Sequence, residues 1–235
     1  MKKIITICLV FAMLLSCASC GDKPSEGTSD ITKNPPVDSQ ETTISPQNPI
    51  DQTKVTLEQL RATKVLAVDN FKFSTDSNGG WELSNYVGKD VIVHIPGEYD
   101  GKPVRTTWSY VFANDSPVKA IWFPDAMESI SEMICISNKS LQVVIVGSKT
   151  KVIEESAFQG CLSLYAVELN EGLETIQAIS FAGCPNLKSI TIPASVTSIA
   201  NNAFFGCPED FVIYGEAGSA AEVYANSKGI EFRVK

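Results

Sequence analysis

Phe158, Phe181 and Phe204 recur at one constant interval, and each is followed two and three positions later by Gly-Cys. Ile130, Ile153, Ile176 and Ile199 keep the same step of twenty-three. So do Ile121, Val144, Val167, Ile190 and Ile213, then Phe123, Val146, Leu169 and Ile192, and then Val118, Leu141, Leu164 and Leu187. Val104, Met127, Thr150, Leu173 and Val196 mark the start of successive units. Several mostly apolar ladders on one step, within the range of roughly 20–29 residues, are the signature of stacked coils. A unit this short cannot bury its own apolar face, so each coil must cover the last.

The unit reads physically. In Leu187-Lys188-Ser189-Ile190-Thr191-Ile192-Pro193, apolar and polar residues alternate as in a half-buried strand. Pro193 ends it, because proline cannot donate to the ladder. Val196 to Ile199 is a second short extended piece. Asn201 to Cys207 makes a tight turn, with Phe204 inward and Gly206 free to bend. Stacked coils place their strands about 4.8 Å apart in a parallel sheet. The expected fold is therefore a mainly β solenoid of about five coils over residues 104–215. A lead-in cap over 55–103 and a C-terminal cap over 216–235 complete it.

These residues resemble a known family. Leu187–Pro193, Val196–Ile199 and Ala203-Phe204-Phe205-Gly206-Cys207 look like the BspA-type leucine-rich repeat, written IP-x-x-V-T-x-I-x-x-x-A-F-x-x-C-x-x-L. Ile213-Tyr214-Gly215, Gly218-Ser219, Tyr224-Ala225 and Gly229-Ile230 resemble the family's closing segment, and Val91–Pro96 with Asp100–Val104 its opening one. The likeness covers Asn70 to Lys235 and is strongest from Lys151 to Phe232. From Val104 to Lys149 it departs: Asp115 and Asn138 hold the Cys position, and Cys135 the Phe position. The resemblance implies cell-surface attachment, by binding to host extracellular proteins, other bacteria or surface glycans.

The N-terminus reads as an address. Lys2 and Lys3 precede an apolar run, Ile4 to Leu15, too short to span about 30 Å of hydrocarbon. Leu14-Leu15-Ser16-Cys17 resembles a bacterial lipobox, which implies a signal peptide over 1–16 and a lipid on Cys17, with Cys20 the alternative. Diacylation plus an amide-linked chain suffices for stable anchoring at the outer face of the membrane or envelope. Residues 17–54 are the expected tether. From Gly21 onward they are polar and interrupted by Pro24, Pro35, Pro36, Pro46 and Pro49, and cannot bury enough apolar surface to order. A coil of that length reaches about 30–35 Å. Thr56, with Gln59 three residues on, reads as the capped start of a short helix. Ser219 to Lys228 reads as a closing helix, with Ala220, Val223 and Tyr224 at helical spacing.

The chemistry is sparse. A net charge of −8 disfavours nucleic acid and polybasic lipid contact. Cys161, Cys184 and Cys207 follow the repeat and not a chelate spacing, so they read as small buried thiols, with no metal and no cofactor expected. His94, the one histidine, lies in a strand opposite to Val93 and Ile95 and reads as exposed. No nucleophile elbow accompanies it and no catalytic residue is assigned. Trp81 follows a hairpin turn, Asn78-Gly79-Gly80, and reads as cap core rather than a sugar platform.

The outward strand positions are more informative. Ala120, Val143, Ala166, Ser189 and Val212 form one column, and Trp122, Ile145, Glu168, Thr191 and Tyr214 the other. Trp122, Val143 and Ile145 make an apolar patch, which marks either an interaction face or a surface covered by the lead-in segment. With Glu168, Thr191 and Tyr214 they form the expected ligand-binding face, for an extracellular protein or a surface glycan. The expected function is non-enzymatic adhesion, with an envelope-structural or polysaccharide-binding accessory role as the alternative.

Overall fold

The computed structural model describes residues 54–235. The expected signal peptide, lipidation at Cys17 or Cys20 and all but the last residue of the tether lie outside them.

Helix α1 (Leu57–Ala62) opens the described chain with the capping box its spacing predicts. The Thr56 hydroxyl accepts from the Gln59 amide at 3.1 Å, and the Gln59 side chain accepts from the Thr56 amide at 2.8 Å. A lead-in cap follows, made of β1 (Phe71–Thr75), β2 (Trp81–Tyr86), β4 (Glu98–Tyr99) and β5 (Lys102–Thr107), hydrogen-bonded in the order β1-β2-β5-β4. Trp81 packs edge-on against Tyr99 at 4.9 Å, a partly buried member of the core. The strand between β2 and β4, β3 (Ile92–His94), belongs elsewhere. It pairs in parallel with β6 (Ala120–Trp122), which pairs with β8 (Val143–Ile145), which pairs with β10 (Ala166–Glu168).

Between these rungs lie the second extended pieces: β7 (Ser129–Ile130), β9 (Val152–Ile153), β11 (Thr175–Ile176) and β13 (Ser198–Ile199), a parallel ladder of their own. The main face continues through β12 (Ser189–Thr191) and β14 (Val212–Gly215). Helix α2 (Ala220–Lys228) then covers the end, and β15 (Glu231–Val234) returns to pair in parallel with β14. Over the described residues the sheet face thus has seven rungs, β3, β6, β8, β10, β12, β14 and β15, where the sequence period predicts five coils. The reason is in the spacing. Val93 sits level with Ile121, five positions beyond the repeat step, and Ile213 with Phe232, four positions short of it. An insertion before the array and a shortened last turn break the step without breaking the strand register.

The core is the ladders themselves. Ile121, Val144 and Ile213 are fully buried and Ile190 nearly so, as are Met127, Thr150, Leu173 and Val196 at the unit starts. Phe158, Phe181 and Phe204 stack with centroids 5.3 Å apart at each step and planes 17° and 5° from parallel. Tyr224 of α2 closes the stack edge-on at 5.8 Å from Phe204. The helix buries Ala221, Tyr224 and Ala225, while Val223, expected on that face, is exposed. Ser219 caps it and Gly229 ends it in the left-handed conformation.

The cysteines do more than fill space. Each thiol donates to a carbonyl of the preceding coil: Cys161 to Cys135, Cys184 to Phe158, Cys207 to Phe181, at 3.2, 3.3 and 3.4 Å. Asn138, at the same position one coil earlier, donates its amide to the Phe112 carbonyl at 2.8 Å. All four described cysteines are free. Burial pushes the Cys184 thiol up to about 12 and Cys207 up to about 11, so both stay protonated near neutrality.

The turns also place left-handed residues at two recurring positions, the second of them in every coil up to Ile179 but not at Asn202. One is held by Gly160, Gly183 and Gly206, with Asn114 and Ser137 in the preceding coils. The other is never glycine: Tyr110, Met133, Ser156 and Ile179 adopt it, Ile179 at φ 47°. A β-branched residue there is strained. Replacing Ile179 with Asn, which tolerates this conformation, is expected to stabilise the fold by about 1 kcal/mol. Urea titration checks this, and an unchanged or lower midpoint contradicts it.

Candidate binding face

The register places the two outward columns as the alternation predicts. His94, Trp122, Ile145 and Glu168 stand level on successive rungs, as do Thr191, Tyr214 and Arg233 beyond them. The second column runs Ile92, Ala120, Val143, Ala166 and then Ser189, Val212, Glu231.

The two halves of this face differ. Over the first rungs the apolar patch is closed. Val143 is fully buried and Ile145 is 2 % exposed, because α1 lies across them and seats Leu60 and Val55 in one cluster with Ala120. Polar contacts hold this strap along its length. The Val55 amide donates to Gln142 at 2.8 Å, Tyr165 donates its hydroxyl to the Val55 carbonyl, and Lys54 lies over the Tyr165 ring. Arg61 pairs with Glu168. Past the helix, the Thr63 carbonyl meets His94 Nδ1 at 3.2 Å, and the Leu66 amide donates to the His94 carbonyl at 3.1 Å. His94 is therefore half-buried and not exposed, stacked on Trp122 at 4.2 Å with planes 10° apart. As part of an open ligand face, Trp122, Val143 and Ile145 are corrected: they are the seat of the chain's own helix. Of the two readings of this patch, the surface covered by the lead-in segment is the one that holds.

Among the described residues, no segment crosses the second half. Ser189, Glu231 and Arg233 are exposed, and Thr191 and Tyr214 are half-exposed. Arg233 donates to the Tyr214 hydroxyl at 3.3 Å, lies over its ring, and pairs with Glu231 at 2.8 Å. A groove of about 270 Å³ borders this half along the strand ends, lined by Leu169, Glu171, Thr191, Pro193, Glu216 and Lys235. Arg233 and Lys235 escape sequence reasoning because β15 lies off the repeat step. Among the described residues, no group of three or more His, Cys, Asp and Glu side chains is placed to hold a metal ion.

Residues 102–209 match the family model described as "BspA type Leucine rich repeat region", in six copies. Among solved structures, the chain is similar to a leucine-rich repeat protein of T. pallidum, at 23 % identity and a TM-score of 0.61. That alignment covers 64 % of this chain and 71 % of the other. A leucine-rich repeat protein from Bacteroides ovatus is 26 % identical with a TM-score of 0.53, over 63 % of this chain and 40 % of that one. Among curated proteins none matches. Residues 102–209 are thus similar in sequence to BspA-type leucine-rich repeats, and the chain shares the leucine-rich repeat fold with these solved structures.

Proposed function

We propose that this is a non-enzymatic cell-surface module that binds an extracellular protein through the uncovered half of its sheet face. The observation that carries the reading is the division of that face. A helix of the same chain seals the apolar rungs and engages Glu168 through Arg61, and the remaining rungs present Thr191, Tyr214 and Arg233 beside a groove. Tyrosine and arginine supply much of the energy at protein interfaces, as rigid or planar groups that combine apolar contact with hydrogen bonding. The solenoid fixes their spacing, so little conformational freedom is lost on docking. In the same reading, lipid on Cys17 or Cys20 and a polar tether hold this face away from the membrane.

The test is solid-phase binding of the protein to arrayed extracellular matrix proteins, followed by affinity measurement on each hit. Tyr214→Ala is expected to weaken binding at least tenfold, a loss of about 1.4 kcal/mol or more. Phe205→Ala, on an exposed turn away from this face, is expected to leave affinity unchanged. A protein hit indifferent to Tyr214→Ala overturns the choice of face. A blank across the array favours an envelope-structural role.

A further inference from the structure

A second site lies on the ladder of short strands, apart from the sheet face. Trp108 follows β5 and is 52 % exposed, yet it is fixed at both ends. Its amide donates to the Leu83 carbonyl at 2.8 Å and its indole N–H to Glu82 Oε2 at 3.0 Å. An exposed tryptophan usually has two soft torsions. This one presents its ring in a preset orientation. Beside it is a depression of about 530 Å³, lined with Trp108 by Thr106, Ser109, Ser131, Glu132 and Glu154. Trp108, Ser131 and Glu154 occupy one ladder position on three successive coils, each a single repeat step from the next. The site is thus built on the repeat backbone rather than on a loose loop.

The lining selects a ligand chemistry. One wall is an aromatic face that an apolar C–H surface can stack on. The rest is hydroxyls and carboxylates. An ionised carboxylate only accepts hydrogen bonds, so it calls for a ligand rich in O–H donors. The volume is that of a small-molecule site, but the lining is too polar for an apolar ligand. Among the described residues no lysine or arginine lines it, and Glu82, Glu132 and Glu154 together repel anions. A molecule with an apolar ring face and a rim of hydroxyls, and without negative charge, satisfies all of these at once. We propose that this depression is a binding site for a neutral saccharide, with Trp108 as the stacking platform and Glu132 and Glu154 as hydroxyl acceptors. The site is independent of the protein-binding face.

The experiment titrates the full chain with cellotetraose, maltotetraose and chitotetraose, and with tetragalacturonate as the anionic counterpart, by calorimetry and saturation-transfer NMR. At least one neutral tetrasaccharide is expected to bind, with tetragalacturonate at least tenfold weaker. Trp108→Ala is expected to weaken the neutral ligand at least tenfold and Glu154→Gln about threefold. Trp108→Tyr is expected to retain most of the affinity. Glu154→Gln changes one partly exposed side chain and keeps the case testable if Trp108→Ala does not fold. Absence of binding by all three neutral sugars overturns the proposal. So does binding unaffected by both Trp108→Ala and Glu154→Gln, or equal affinity for tetragalacturonate.

Discussion

Phe181→Ala is expected to cost about 3–5 kcal/mol, the range for truncating a buried phenylalanine. Its ring is fully buried and stacked at 5.3 Å on Phe158 and on Phe204, so no solvent or mobile side chain can fill the gap. The neighbours cannot collapse inward either, because the strand ladders of both flanking coils hold their backbones in register. A loss of this size is a large fraction of the stability of a typical domain. In a solenoid it also weakens coupling between the coils on either side, since each coil contacts only its neighbours. Denaturant unfolding followed by circular dichroism is therefore expected to show a lower midpoint and a broader transition. A midpoint within experimental scatter of the parent contradicts the aromatic stack as the core of the array.

Asn138→Ala is expected to cost about 3 kcal/mol, through a different mechanism. The side chain is fully buried and makes three hydrogen bonds. It donates to the Phe112 carbonyl at 2.8 Å and accepts from the Ser140 and Leu141 amides at 2.8 and 2.9 Å. Alanine leaves those backbone groups without partners where water does not readily reach, and each orphan costs more than the bond itself contributes. Asn138→Cys is the informative companion. It restores the residue of the later coils, whose thiols donate to the equivalent carbonyl, but its sulfur is a much weaker acceptor for Ser140 and Leu141 than the amide oxygen. Its loss is expected to be smaller than that of alanine. Equal destabilisation by the two variants would contradict the shared donor role.

That pair of residues shows what the sequence conveys and what it withholds. The Cys ladder is legible as a repeat, but reading it as mere packing misses the donor that Cys161, Cys184, Cys207 and Asn138 have in common. Asn138 looks like decay of the motif and is a substitution that keeps its hydrogen bond. The middle rungs are legible because apolar residues fall on one integer step. The first and last rungs are not, because β3 lies too far from its neighbour and β15 too near for that step, although the sheet register runs through both. Helix α1 is legible from Thr56 and Gln59. Its resting place is legible only as one of two readings of the outward patch, because Val55 and Leu60 carry no periodic signal pointing to a partner. The signal sits on the other side of the contact. Trp122, Val143 and Ile145 are apolar at strand positions that otherwise face solvent, and such a run calls for a cover. Trp108 escapes attention for a related reason, as one aromatic in a ladder position that is polar in the next three coils, at Ser131, Glu154 and Gln177.

Helix α1 closes the first half of the face, and among the described residues the second half is left open. Methyl-resolved NMR of the protein, with a soluble paramagnetic agent, tests this most directly. The structure predicts nuclear Overhauser contacts from Leu60 to Val143 and Ile145, with those methyls shielded from the agent, while Thr191 and the Tyr214 ring broaden. Absence of the Leu60 contacts, with Val143 and Ile145 broadening as much as Thr191, would contradict it.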